Sequence, residues 1–114
     1  MEDCIFCKII RGEIPAKKEY ETDSIFVFHD ITPQAPIHLL IIPKAHIKSM
    51  NEIDSLDPKV IHQIFEVIPE LAKKNGIFEK GYRVVNNCGT YGGQTVGHLH
   101  FHLLGGRHLQ WPPG

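Results

Sequence analysis

The run GHLHFHLLGG, residues 97–106, constrains this chain more than any other stretch. His98, His100 and His102 alternate with Leu99, Phe101 and Leu103. A period of two belongs to a β-strand, whose successive side chains leave opposite faces. On such a strand the three imidazoles share one face and the three apolar groups the other. Neighbouring histidines then stand about 6.5 to 7 Å apart along the backbone, two rises of about 3.3 Å. The apolar side must back onto a core, which leaves the imidazole side as an active surface. A strand that was only solvated would have no need of three imidazoles in succession.

The remaining elements are read around this strand. Residues 4–11, CIFCKIIR, predict a short helix closed by Gly12 and prevented from continuing by Pro15. Two β-rich pieces flanking ETDS predict a hairpin over residues 17–29. ITPQAP reads as a loop, and IHLLIIP, residues 37–43, as a continuous apolar strand. A long helix is expected over 58–75, with Asp57 as cap, Pro58 in the first position and Gly76 just beyond the end. Its buried face would carry Val60, Ile61, Ile64, Phe65, Ile68, Leu71 and Ala72, and Pro69 should kink it. YRVVNN, residues 82–87, is a further strand, and the glycine-rich CGTYGGQTVG leads into the histidines. Five strands with one long and one short helix, without βαβ alternation, predict an α+β fold on a mainly antiparallel sheet. Helices on one face would leave the other for a ligand or a partner subunit. With 114 residues and neither repeat nor linker, the chain (1–114) reads as a single domain.

Composition narrows the partners. Lysine and arginine number 12 against 13 acidic residues, a net charge of -1. That balance argues against a nucleic-acid polymer or an anionic membrane, both of which need clustered positive charge. A small anion in a locally positive pocket is still compatible. No apolar run suits a membrane span, and the acidic start lacks the basic leader of a signal peptide. Cysteines at 4, 7 and 88 make a poor disulfide framework, so the expected compartment is reducing, the cytoplasm by default.

Two chemistries suit the histidine strand. Alternating imidazoles can ligate a metal. Alternatively, one imidazole attacks an electrophile while its neighbours orient it and handle protons, an arrangement suited to a phosphoryl centre. The upstream GGQTVG favours an anion, because glycines let backbone N–H groups approach phosphate oxygens and Gln94 and Thr95 add side-chain donors. Cys4 and Cys7 have zinc-ligand spacing but supply half a tetrahedral site. They also read, with slightly more weight, as two half-buried thiols on the inner face of the first helix. No thioredoxin-like pattern follows them, which argues against redox chemistry.

The chain resembles the histidine-triad (HIT) nucleotide-binding proteins. HLHFHLL matches their His-φ-His-φ-His-φ-φ signature. The likeness extends from IFCKIIRGEIPAK through FHDITPQAPIHLLIIPKAHI and GYRVVNNCGTYGGQTV to LLGGRHLQWPPG. The closing WPPG is similar to the purine nucleoside phosphoramidase branch, and a third histidine rather than glutamine sets the chain apart from the transferase branch.

The resemblance implies hydrolysis of nucleoside phosphoramidates or acyl-adenylates, and an AMP-like ligand. It gives His100 the role of nucleophile, forming a nucleotidyl-histidine that water opens. It puts His102 at the phosphate, His38 in the triad's hydrogen-bond network and Thr95 at the leaving nitrogen. It places Asn87, rather than Asn86, beside the phosphate with Gly93, Gln94 and Val96 of the same loop. Asp30 would accept the ribose hydroxyls. Phe6, Ile9, Phe28, His29, Ile31 and Leu40 would form an apolar slot for the base, although each would also pass as ordinary core. The resemblance further implies a homodimer that joins two sheets through the long helix and the strand before the triad, with Trp111 reaching the partner's pocket. It implies no cofactor for catalysis. Some relatives hold a structural zinc at positions matching Cys4, Cys7, His46 and His98, and others lack the cysteines. Two other readings stay open: a zinc-dependent hydrolase with the triad as metal ligands, and a nucleotide-binding or interaction protein without catalysis. Cys88, His62 and His108 receive no role.

Overall fold

The elements begin and end where the apolar period changes. The computed structural model describes residues 3–114. In chain order these are α1 (Ile5–Ile10), β1 (Lys18–Glu21), β2 (Ile25–His29), β3 (Ile37–Pro43), a 3₁₀ helix (Met50–Ser55), α2 (Pro58–Lys74), β4 (Tyr82–Val85) and β5 (Phe101–Gly105). The strands form one five-stranded sheet in the order β1-β2-β3-β5-β4, antiparallel at every pairing. The expected α+β architecture is therefore present, with the 3₁₀ helix as an addition. Ser49 caps that helix by accepting from the Asn51 N–H.

Alternation along the strands builds a core on each face. Ile25 and Val27 of β2, Leu39 and Ile41 of β3, and Phe101 and Leu103 of β5 pack with α2 through Ile64, Val67, Ile68, Leu71 and Ala72. The intervening Phe26, Phe28, Leu40 and Ile42 pack on the opposite face with Phe6 and Ile9 of α1. The helices thus lie on both faces, contrary to the expectation of a bare second face. The short helix α1 walls the imidazole side, because Phe6 and Ile9 need an apolar partner that only that face still offers.

α2 starts where expected: Asp57 accepts from the Lys59 N–H at 2.9 Å, and Pro58 occupies the first turn. It runs to Lys74 without a break at Pro69. Pro69 removes one helical N–H, the donor for the Phe65 carbonyl. Phe65 itself corrects the expected buried face. It is 48% exposed at the margin of the stripe, its ring edge-on to Phe101 at 5.3 Å between centroids.

The histidine strand is also shorter than the alternation suggests. Only His102 lies in the ladder, paired with Leu40 and Val85, and His98 and His100 precede β5. Pro43 at the end of β3 has no N–H to extend the ladder. The Leu99 N–H instead bonds the Ile47 carbonyl at 2.8 Å. β4 likewise stops at Val85, short of the expected Asn87. The face alternation nonetheless persists, since Leu99, Phe101 and Leu103 all enter the α2-side core. Among the described residues, no helix is long and apolar enough to cross a membrane.

Candidate active site

A cavity of about 230 Å³ opens between α1 and the imidazole face of the sheet. Phe6, Ile9, Phe28 and Leu40 give it apolar walls, and Asp30, Thr95, His100 and His102 bring polar groups to it. A mostly apolar slot with a few convergent polar groups suits a small molecule with one flat and one charged end.

Hydrogen bonds fix which nitrogen of each imidazole carries a proton, because a carbonyl only accepts and a backbone N–H only donates. His98 Nε2 donates to the Pro43 carbonyl at 2.8 Å, leaving its Nδ1 as a lone pair. His100 Nδ1 donates to the His98 carbonyl at 2.7 Å, leaving Nε2 unprotonated. The Asn86 side-chain amide donates to the His100 carbonyl at 2.9 Å and steadies this segment. The Gln34 N–H donates to His38 Nδ1 at 3.1 Å, so the His38 proton sits on Nε2 and is donated to His102 Nδ1 at 2.8 Å. His102 therefore keeps its own proton on Nε2. The result is a bare, basic nitrogen on His100 beside an N–H donor on His102, with ring centroids 5.1 Å apart. Phe6 stands edge-on to His100 at 5.1 Å and shields it.

Burial lowers His38, His98 and His102 and keeps them neutral. It pushes His102 down to about 4, with the neighbouring His100 and His38 adding to the effect and Asp30 opposing it. His38 is lowered for the same first reason, again against Asp30. A histidine whose folded pKa lies below its unfolded value near 6.5 binds fewer protons in the folded state. Its contribution to stability is complete above pH 6.5 and is lost as pH falls toward 4. At about 1.4 kcal/mol per pKa unit, His102 alone is expected to account for roughly 3 kcal/mol. Urea midpoints at constant ionic strength should fall from pH 7 to pH 4.5, with a shallower slope in His102→Gln. A midpoint independent of pH, or a slope unchanged by the substitution, would contradict this.

The glycine-rich loop is held by its own side chains. Gln94 Oε1 accepts from the Gly89 N–H at 3.0 Å, and Gln94 Nε2 donates to the carbonyls of Lys48 at 2.8 Å and Val96 at 2.9 Å. Asn87 Nδ2 donates to the Gly92 carbonyl at 2.7 Å. A Cβ at Gly92 would collide with the Cys88 backbone, and Gly93 adopts φ of 79°, so both positions require glycine. The loop presents Thr95 and Val96 to the cavity.

A second cluster lies behind the first histidine. Cys4, Cys7, His46 and His98 bring one ligand atom each to within 4.8 Å of one another. His98 Nδ1 lies 3.4 Å from Cys4 Sγ, 3.6 Å from Cys7 Sγ and 3.1 Å from His46 Nδ1, and Cys7 Sγ lies 3.4 Å from His46 Nδ1. A tetrahedral zinc with bonds of about 2.3 Å to sulfur and about 2.05 Å to nitrogen requires ligand separations of about 3.3 to 3.8 Å. The donor set fits that ion. Four protein ligands would close its coordination sphere, which is the pattern of a structural rather than a catalytic centre.

The residues singled out from the sequence divide into several groups. Phe6, Ile9, Phe28, Asp30, Leu40, Thr95, Val96, His100 and His102 border the cavity, with His38 directly behind His102. Ile31 borders it at the rim, 93% exposed. His29 also borders it, but its ring is tied to Glu19 at 2.9 Å. Glu19 is held in turn by Asn75 Nδ2 at 3.1 Å. Asn87, Gly93 and Gln94 shape the loop without bordering the cavity. Trp111 is 80% exposed in the tail, which Arg83 anchors through the Gln110 carbonyl at 2.9 Å. The sequence reading missed Ile5, Ile14, Pro15 and Ala16 as cavity walls, although their place beside Phe6 and Ile9 in IFCKIIRGEIPA was a usable signal. It also missed Asn86 and Gln34, whose roles depend on backbone groups that no side-chain pattern announces.

With this geometry in view, the HIT domain family matches residues 11–109. The purine nucleoside phosphoramidase of Escherichia coli is 44% identical over 108 residues, covering 95% of this chain and 91% of that protein. An uncharacterised HIT-like protein of Synechococcus elongatus is 50% identical over 113 residues, 99% and 98% of the two chains. The crystal structure of a HIT family hydrolase from Legionella pneumophila superposes with a TM-score of 0.95 at 50% identity, covering 98% of this chain and all of the other.

Proposed function

The chain belongs to the HIT-domain family, and from that premise we propose that it is a single-domain, homodimeric hydrolase of purine nucleoside 5′-phosphoramidates and acyl-adenylates. One observation carries the reading: His100 Nδ1 is fixed on the His98 carbonyl at 2.7 Å, so the unprotonated Nε2 belongs to a residue bordering the cavity. An imidazole held in that tautomer is a nucleophile at neutral pH without further activation.

In the first step Nε2 bonds the α-phosphorus and the P–N bond breaks, the departing nitrogen taking one proton from solvent along the Thr95 hydroxyl. His102 Nε2–H donates to a phosphate oxygen as charge builds there. Because the Gln34 N–H occupies His38 Nδ1, the His38–His102 pair stays neutral and serves as a hydrogen-bond donor, not as a source of protons. In the second step water adds to phosphorus, the P–Nε2 bond breaks and one proton returns to solvent. The apolar slot takes the purine and Asp30 the ribose hydroxyls. Asn87 and the Gly92–Gly93 turn hold the phosphate loop in shape. Zinc, when bound by Cys4, Cys7, His46 and His98, would brace α1 against the histidine segment.

The strand β4 is an unpaired sheet edge with Val84 exposed, and Phe65 of α2 is half exposed. Both features support a dimer that extends the sheet across this edge and brings the partner's tail, with Trp111, toward the cavity. Three free thiols suit a cytoplasmic location. A zinc-dependent reaction at the triad is less well supported. His98 belongs to one potential metal-binding group, His102 to another with Asp30 and His38, and His100 to neither.

Rapid quenching of an adenosine 5′-phosphoramidate turnover should trap an adenylylated protein, with the label on the peptide containing His100. A burst of product without any protein-bound nucleotide would point to direct attack by water.

A further inference from the structure

The His38 Nε2–H is hydrogen-bonded to His102 and has a carboxylate beside it. His38 Nδ1 is closed by the Gln34 N–H, so the single proton on Nε2 is donated to His102 Nδ1 at 2.8 Å, while Asp30 Oδ2 lies 3.5 Å from the same nitrogen. Asp30 Oδ1 is already engaged by the Thr32 N–H at 2.8 Å, which fixes the carboxylate and aims Oδ2 at the pair. Among the described residues that border the cavity, Asp30 is also the one that carries a carboxylate. The group that would meet a ligand's hydroxyls is thus the group whose charge sits beside the His38–His102 hydrogen bond.

We propose that Asp30 is a positioning residue that couples occupancy of the cavity by a vicinal diol to the orientation of His102, acting through His38. The inference rests on the nucleotide reading above and concerns how the ribose acts on the triad. When two hydroxyls donate to Asp30, the carboxylate's lone pairs and charge are taken up by the ligand. The His38 N–H then holds His102 Nδ1 without that opposing charge, and the His102 ring is held with its Nε2–H at the phosphate. Without the hydroxyls Oδ2 keeps pulling on the His38 proton and the His102 ring is held less firmly. The ribose therefore contributes to the reacting geometry as well as to affinity, which is binding interaction used at the transition state.

The test compares adenosine 5′-phosphoramidate with its 2′,3′-dideoxy analogue, on the wild-type protein and on Asp30→Asn. In the wild type, loss of the hydroxyls should lower kcat by about tenfold, beyond any rise in KM. In Asp30→Asn, kcat should be the same for both substrates within about twofold. A wild-type effect confined to KM, or a kcat effect that persists in Asp30→Asn, would reduce Asp30 to a binding group. Nitrogen NMR of the histidines in the wild-type protein gives a readout that needs neither turnover nor a variant. AMP should sharpen the His102 nitrogens to a single Nε2–H tautomer and slow exchange of the His38 Nε2 proton, whereas 2′,3′-dideoxy-AMP should do neither. Identical spectra with the two nucleotides at saturation would overturn the coupling. If the wild type turns over neither phosphoramidate, the hydrolase reading fails, and the NMR comparison alone decides the coupling.

Discussion

His100→Ala is expected to bind AMP with nearly unchanged affinity and to hydrolyse an adenosine phosphoramidate at least about 10⁴-fold more slowly. The asymmetry follows from where the ring sits. His100 is buried, edge-on to Phe6, and its Nδ1 is spent on the His98 carbonyl. Only Nε2 is left to act on a ligand. The apolar walls of the cavity are Phe6, Ile9, Phe28 and Leu40, none of which depends on that nitrogen. Truncation removes the atom that would form the covalent bond, while the His102 donor and the glycine-rich loop persist. His100→Gly adds a positive control. It opens space for free imidazole, which should restore part of the turnover because the phosphorus, the His102 donor and the leaving-group side are intact. Calorimetric binding of AMP, with single-turnover rates with and without imidazole, checks both arms. Wild-type turnover in the alanine variant would remove His100 from the chemistry.

Much of this arrangement is legible in the sequence, and what is hidden has definite causes. Asp57, Pro58 and Gly76 mark the ends of α2 because capping and chain reversal are local chemistry. The apolar run 37–43 becomes β3, buried on both faces, since such a run has no polar side to offer water. The alternation of 98–103 sorts side chains between the two faces even where no ladder forms. The sequence does not show that the three imidazoles take three separate partners. Pairing of His38 with His102 depends on the β3–β5 register, which places His38 opposite Leu104 and leaves its ring free to reach across the strand. Gln94 shows the same limit. It is a polar residue beside a phosphate-type loop, yet its amide is consumed bracing Gly89, Lys48 and Val96, because loop carbonyls need donors before any ligand arrives.

Zinc should raise the melting temperature substantially and leave the folded protein's chemistry alone. Cys4 and Cys7 come from the start of α1, His46 from the loop after β3 and His98 from the segment before β5. One ion would therefore pin three distant stretches, which the unfolded chain cannot bring together without a large loss of entropy. Burial raises the Cys7 thiol above its ordinary value, with Cys4 adding to this and Arg11 opposing it, so the metal must displace a proton to bind. Affinity should consequently weaken as pH falls. A ligand that binds only the folded state adds about 4 kcal/mol at a free concentration a thousandfold above its Kd. For a chain of this size that corresponds to a rise on the order of 15 °C. Calorimetry on chelated and zinc-loaded protein should show this rise, and the double variant Cys4→Ser, Cys7→Ser should melt at the chelated value whether or not zinc is present. Assayed well below its lower melting temperature, the chelated protein should keep its turnover. Zinc would act here only by holding His98, whose carbonyl already fixes His100 through a hydrogen bond that needs no metal. A melting temperature indifferent to zinc would remove the site, and loss of turnover from chelated but folded protein would give the ion a chemical role.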